Sequence, residues 1–291
     1  MEVFPRKFQK NLSDSHEFSQ ELGFSLDQII IDSFERTYDS IEKGFLKIAR
    51  KAKSMGLLKT GTVGTCALTI FVQDNKLYVA SNGECKGFLC SLDKEGHKNC
   101  SKINKKLKKA LGKEEEKQNV IFEVDSKKKL RKMKKNKIFY LENNLQSARG
   151  FGDFSLKYPE FYEEKDAEFN GPKITHRPEI KIMELNENDK FLILGSDGVW
   201  EMVKKENLEG ILEKSFEDIY TIAENIYNFA FMEICEKNGQ IYLKKKKNIY
   251  VLFLILGIEK EELLNKGLGE ERRKYHNDIS LMVVDLKNQF R

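Results

Sequence analysis

The stretch Lys190–Trp200, KFLILGSDGVW, constrains the fold more than any other part of the chain. Phe191 to Leu194 is an unbroken apolar run that halts at Gly195. A run this apolar is unsuited to a surface edge, so a buried, rigid strand is expected. The strand ends in Gly-Ser-Asp-Gly, with one carboxylate, Asp197, held between Ser196 and Gly198. Glycine lets the backbone turn sharply there, which sets the acid at the rim of a fixed support. Two readings of Asp197 stay open. A carboxylate so placed is a good ligand for a hard divalent cation. Ser196 and Asp197 are also good N-cap residues, in which case the acid does no more than start the next helix.

The remaining sequence suits a packed protein. Of its 291 residues 40% are hydrophobic and only four are proline, a composition of folded rather than disordered chains. A large two-layer sheet fold accommodates this length in one domain. The net charge of +5 is a weak field over so long a chain; it mildly favours acidic or phosphorylated substrates and does not mark a nucleic-acid binder. The basic cluster Lys127–Lys137 carries no interleaved aromatics for base stacking, so it is read as a solvated insertion rather than a nuclear-localisation or nucleic-acid patch. The five cysteines form no CxxC pair. Cys85, Cys90, His97 and Cys100 lie close in sequence, but Cys85 and Cys90 on one strand would face opposite sides. Free thiols in a reducing compartment are expected rather than zinc. The first ten residues are polar and basic, unlike a signal peptide. The longest apolar run, Ile249–Ile258, is about half the length that spans a bilayer, so a buried strand or helix is expected there and no membrane partner.

Periodicity supplies the other elements. Residues 1–24 read as a short helical or irregular lead-in. Ser25 with Gln28 has capping-box spacing and opens a helix to about Lys53. Ile30, Phe34, Tyr38, Ile41, Phe45 and Ile48 recur at helical spacing and form its core stripe. Thr60–Thr65 is a small-residue turn. Cys66–Val72 and Lys76–Asn82 form a hairpin turned by Asp74 and Asn75, and a third strand runs from Lys86 to Leu92. Asp93–Asn144 is the polar middle of the chain. Ile180–Leu185 and Lys190–Leu194 are strands around an Asn-Glu-Asn-Asp turn. Ser215 with Asp218 has capping-box spacing and opens a helix to about Glu236, with Ile219, Ile222, Ala223, Ile226, Phe229 and Ala230 inward. Ile279–Leu286 is the last strand.

Several segments, taken in order, carry a resemblance. GSDGVWE resembles the A-S-D-G-hydrophobic-W-D/E motif of the metal-dependent serine/threonine protein phosphatases of type 2C (PPM-type), within the longer match PEIKIMELNENDKFLILGSDGVWEMV. TGTVGT is similar to the family's G-S-T-A segment. SNGECKG is similar to its A-N-x-G-D-S-R turn, with Glu84 where the family has an Asp that often helps hold an accessory metal. A solvated turn residue is the other reading of Glu84. LQSARGFGDFSLK resembles the S-R-A-hydrophobic-G-D motif and its following Lys: Arg149, Gly152, Asp153 and Lys157 fall in place and Gly150 departs from Ala. That segment is read as architectural, with the glycine allowing close approach and Asp153 fixing the next turn. ISLMVVDL is similar to the family's final D-N-I-T-V-I-V-V segment, which puts Asn277 at the place of a metal-ligand Asp and Asp278 at the place of an Asn.

The resemblance implies an α+β fold, an αββα four-layer sandwich of two mainly antiparallel sheets flanked by helices, with N-terminal strands missing. It implies one domain over 1–291, with a basic insert around 99–144 and an atypical insertion around 240–274. The chemistry implied is hydrolysis of phosphoserine and phosphothreonine in proteins by a water held on Mn2+ or Mg2+ ions, with no catalytic side chain beyond the metal-bound water. Carried over residue by residue, the metal ligands are Asp197, Asp278, Asn277 and Glu84; Arg149, Gly152, Asp153 and Gly198 are structural. A monomer in the cytoplasm or nucleus is expected. Nothing resembles the family's D-G-H-G-G segment, its upstream Glu or its phosphate-binding Arg, so the two-ion site is expected to be incomplete. Two accounts fit that gap: a truncated sequence, or a catalytically impaired pseudophosphatase that binds phosphoproteins or partners.

Overall fold

The computed structural model describes residues 3–20, 23–104, 148–162, 169, 172–216, 218–237 and 280–286. In chain order its elements are α1 (Val3–Gln20), α2 (Leu26–Ser54), β1 (Gly64–Thr65), β2 (Ala67–Gln73), β3 (Lys76–Asn82), β4 (Lys86–Leu92), β5 (Lys98–Lys102), β6 (Phe151–Gly152), β7 (Glu179–Glu184), β8 (Asp189–Gly195), α3 (Asp197–Met202), α4 (Lys205–Ser215), α5 (Ile219–Lys237) and β9 (Leu281–Asp285). They fall into two units, one formed by Met1–Cys85 with Asn104–Glu184 and the other by Lys86–Ile103 with Leu185–Arg291. Antiparallel sheets flanked by helices make this an α+β fold.

In the first unit, Ser25 caps α2, its hydroxyl accepting the Gln28 N–H at 3.3 Å, so the helix starts where the capping spacing puts it. Ile30, Phe34 and Tyr38 of α2 are fully buried with Phe8, Tyr78, Ala80 and Phe151. The expected stripe does not continue to Ile48, which is exposed. The buried row runs instead through Glu42, Leu46 and Ala49, because the helix meets a second apolar cluster there, formed with Phe154 and Phe161. The hairpin of β2 and β3 turns at Asp74 and Asn75, both at positive φ (49° and 58°), the backbone that a two-residue type I′ turn requires. The sheet order is β2-β3-β7, all antiparallel, and β1 pairs with β6 as a separate short ribbon.

In the second unit the order is β5-β4-β8-β9, again antiparallel. The apolar strand of the sequence, β8, is central, with Phe191, Leu192 and Ile193 buried. Its inner face packs with Trp200, Leu208, Leu212, Ile222, Ile226 and Ala230 from α3, α4 and α5. Two expectations need correction, and one pairing is not fixed by the sequence. Polar Lys98–Lys102 is a strand: β5 is an edge strand whose register comes from pairing with β4 rather than from an apolar pattern. The strands either side of Asn186 to Asp189 do not pair with each other; β7 bonds to β3 and β8 to β4 and β9. Helix α5 opens at Ile219, where Asp218 accepts the Thr221 N–H at 2.8 Å, while Ser215 ends α4 with its hydroxyl on the Ile211 carbonyl. The described cysteines Cys66, Cys85, Cys90 and Cys100 are free thiols, and Cys90 stands opposite Cys100 across β4 and β5. Residues 105–147, with the basic cluster Lys127–Lys137, and the 240–274 insertion lie outside the described residues.

Candidate functional site

The turn that carries Asp197 is fastened on both sides. The Trp200 indole N–H reaches the Gly195 carbonyl at 2.9 Å and the Lys86 carbonyl at 3.0 Å. Its ring lies 4.8 Å from that of Phe88. This requires glycine at 195, since a Cβ there would stand 2.8 Å from Trp200 Nε1. Across the turn, the Ser196 N–H donates to the Ser280 carbonyl at 2.9 Å and the Ser280 N–H donates to Ser196 Oγ at 3.0 Å. Ser196 is thus the N-cap residue of α3 by position, but its hydroxyl makes no capping bond to that helix. Asp197 is the first residue of α3, half-buried, and Gly198 is buried behind it. Among the described residues the Asp197 carboxylate makes no hydrogen bond or ion pair. A half-buried carboxylate left unpaired among the described residues has the hard-oxygen chemistry a divalent cation takes.

Glu84 sits in the turn after β3, in the first unit. Gly83 turns the chain at φ +102°, and a Cβ there would fall 2.1 Å from Cys66 Sγ. The Glu84 N–H donates to that sulfur at 3.3 Å, and the side chain is half-buried. Asn277 and Asp278 lie outside the described residues.

The Arg149–Lys157 segment is organised by an acid that sequence reasoning missed, Glu42 of α2. Glu42 is buried, and its carboxylate accepts Lys157 Nζ at 2.5 Å and the Gly152 N–H at 3.0 Å. Lys157 Nζ also donates to the Gly150 carbonyl at 2.7 Å. The available signal was its spacing: Glu42 is four residues from Tyr38 and four from Leu46, a charge on an otherwise apolar helical row. Gly152 has φ +72° and a Cβ on it would meet the Val63 carbonyl at 2.2 Å. Asp153 is left-handed (φ 47°, ψ 47°) and turns the chain through its backbone, with its N–H on the Val63 carbonyl at 2.8 Å. Burial raises the Asp153 carboxyl to about 6, against the pull of Lys157 and with a further push from Glu42. Burial likewise holds the Lys157 ammonium below its ordinary value, although Glu42 opposes the shift. Arg149 extends to the Arg177 carbonyl at 3.0 Å.

Elsewhere among the described residues, Asp93, Glu95 and His97 bring potential ligand atoms within 4.8 Å of one another, all exposed. Asp93 accepts the Glu95 and His97 N–H groups, so closing the β4–β5 turn accounts for their proximity.

A sequence model of the family "Protein phosphatase 2C" matches residues 5–239. Two Arabidopsis thaliana relatives are named "Probable protein phosphatase 2C 79" and "Probable protein phosphatase 2C 63". The first is 24% identical over 89% of this chain and the second 25% identical over 93%. The chain spans 63% and 67% of their lengths. A solved C. elegans structure described as that of a sex determining protein superposes with a TM-score of 0.51 at 13% identity, over 78% of this chain and 48% of that one. At that identity the likeness concerns the fold alone. No described helix is long and apolar enough to cross a membrane.

Proposed function

This chain belongs to the protein phosphatase 2C family, and from that premise we propose that it hydrolyses phosphoserine and phosphothreonine esters in proteins with the help of a divalent cation. The observation that supports this most directly is the Asp197 carboxylate, unused by the fold among the described residues and set at the end of a central strand. Asp197, with Glu84, Asn277 and Asp278, offers only hard oxygen or amide-oxygen donors, the set that Mn2+ or Mg2+ takes. A bound ion of this kind supplies Lewis acidity toward water and phosphate. What the chain itself does is hold the acid still: Trp200 ties the turn to two strand carbonyls and Ser280 clasps Ser196. A ligand held by such supports needs no reorganisation when substrate arrives.

The test is phosphate release from a phosphothreonine peptide with and without added Mn2+, comparing the wild-type chain with Asp197→Asn. The expected loss is about a hundredfold. Equal, metal-dependent rates in both would remove Asp197 from the mechanism. A second reading, a phosphoprotein-binding chain with little turnover, is favoured by neutral Asn277 at the place of a family Asp. It predicts peptide binding without phosphate release at any Mn2+ concentration.

A further inference from the structure

Helix α2 outruns its core. Its buried row ends at Ala49, although the helix continues to Ser54. Around and past that point large apolar side chains stand in solvent: Ile48 is 63% exposed, Met55 69%, Leu57 59% and Leu58 52%. With Val63 they make five of the ten exposed large hydrophobics among the described residues, which is a concentration rather than the usual scatter.

The segment is ordered by its own hydrogen bonds. Gly56 is left-handed at φ +84°. Its N–H donates to the Lys53 carbonyl at 2.9 Å and the Leu57 N–H to the Ala52 carbonyl at 3.0 Å. That pair of bonds is a Schellman motif. Leu58 N–H then donates to the Gly56 carbonyl at 3.1 Å, and the Thr60 hydroxyl to the Leu57 carbonyl at 2.7 Å. Met55, Leu57 and Leu58 are therefore carried on a closed turn.

The charge carried by this stretch of chain has one sign. From Gly44 to Val63 there is no Asp or Glu, while Lys47, Arg50, Lys51, Lys53 and Lys59 are all present. Arg50 is committed to Glu160 at 2.7 Å, and Lys53 stands over the Phe161 ring at 5.3 Å. Lys47, Lys51 and Lys59 are exposed and make no ion pair among the described residues.

We propose that the end of α2 and the Met55–Lys59 turn dock on the surface of an anionic lipid bilayer. Side chains more than half exposed stand out from the surface, whereas a peptide partner requires a groove or a sheet edge to lie in. Aliphatic tips enter the boundary between headgroups and acyl chains, and lysines beside them stay level with the phosphates. The expectation of no membrane partner rested on the lack of a spanning run, and surface docking needs none. Binding of this size is reversible and weakened by salt.

The experiment is co-sedimentation of the full chain with phosphatidylcholine vesicles, pure or with about a third of the lipid replaced by phosphatidylserine. The wild type is expected to bind the anionic vesicles and not the neutral ones. Met55→Ser/Leu57→Ser/Leu58→Ser and, separately, Lys51→Glu/Lys59→Glu should each weaken that binding at least about tenfold. These positions are exposed, and unchanged far-UV circular dichroism confirms that the variants fold. Absence of wild-type binding, equal binding to both vesicles, or variants that bind as the wild type does would each overturn the proposal. So would binding to poly-glutamate without binding to vesicles, which would make the partner an acidic polypeptide.

Discussion

Lys157→Met should be among the most damaging single substitutions in the first unit. Both members of the Glu42–Lys157 pair are almost wholly desolvated, with side chains 2% and 5% exposed. Methionine retains the stem of Lys157 but removes an ammonium with two acceptors, Glu42 Oε1 and the Gly150 carbonyl. Among the described residues the Glu42 carboxylate then has only the Gly152 N–H, and a buried charge stripped of its partner destabilises by about 4 kcal/mol. Glu42→Gln keeps an acceptor for Gly152 and leaves Lys157 bonded to Gly150, so its loss should be smaller, about 2 kcal/mol. The double variant has no unpaired charge and gives up chiefly the donor to Gly150, so it should lose about 3 kcal/mol, less than Lys157→Met alone. The cycle then reports a coupling of about 3 kcal/mol between the two residues. Urea unfolding of the four proteins near neutral pH, read as midpoint times slope, measures each term. Losses that add to within about 0.5 kcal/mol would refute the reasoning, because independent sites add in that way.

Three further outcomes follow from the geometry. Gly195→Ala places a Cβ 2.8 Å from Trp200 Nε1; it should displace the indole from both carbonyls at about 2 kcal/mol of stability, seen as a red shift in the emission of the chain's one tryptophan. Asp153, raised from an ordinary 3.8 to about 6 by burial, binds a proton more readily folded than unfolded. Its contribution to stability is therefore complete below the ordinary value and is lost as pH rises through about 6. Asp153→Asn stays neutral and suits the left-handed backbone, so its melting temperature should rise relative to wild type between about pH 4 and about pH 7; a constant difference would argue against the shift. Finally, a thiol reagent should modify exposed Cys66 in the native chain, and buried Cys90 and Cys100 only after denaturation, as peptide mass mapping can show.

Much of the fold was legible where the deciding forces are local. The Ser25 cap, the two-residue turn at Asp74 and Asn75, and the apolar run of β8 depend on neighbours along the chain. The Asp197 turn was legible too, as a motif, although the hydroxyl of Ser196 turned out to hold Ser280 and not to cap α3. Strand β5 was not legible because a polar edge strand is defined by what it pairs with. Helix α5 started later than its spacing suggested because Asp218 and not Ser215 meets the free N–H groups.

By itself, then, the sequence determined most of the longer helices and strands, that the apolar strand β8 is buried and not an edge, and which acid stands at that strand's end. These follow from hydrophobic period and turn chemistry, both of them short-range. Only the tertiary structure decided that Glu42 meets Lys157 across 115 positions, that β7 and β8 join different sheets, and that Ile48 faces outward while Glu42 is buried. Each of those depends on which distant surface removes water from a side chain, and a helical stripe cannot say where its partner surface stops.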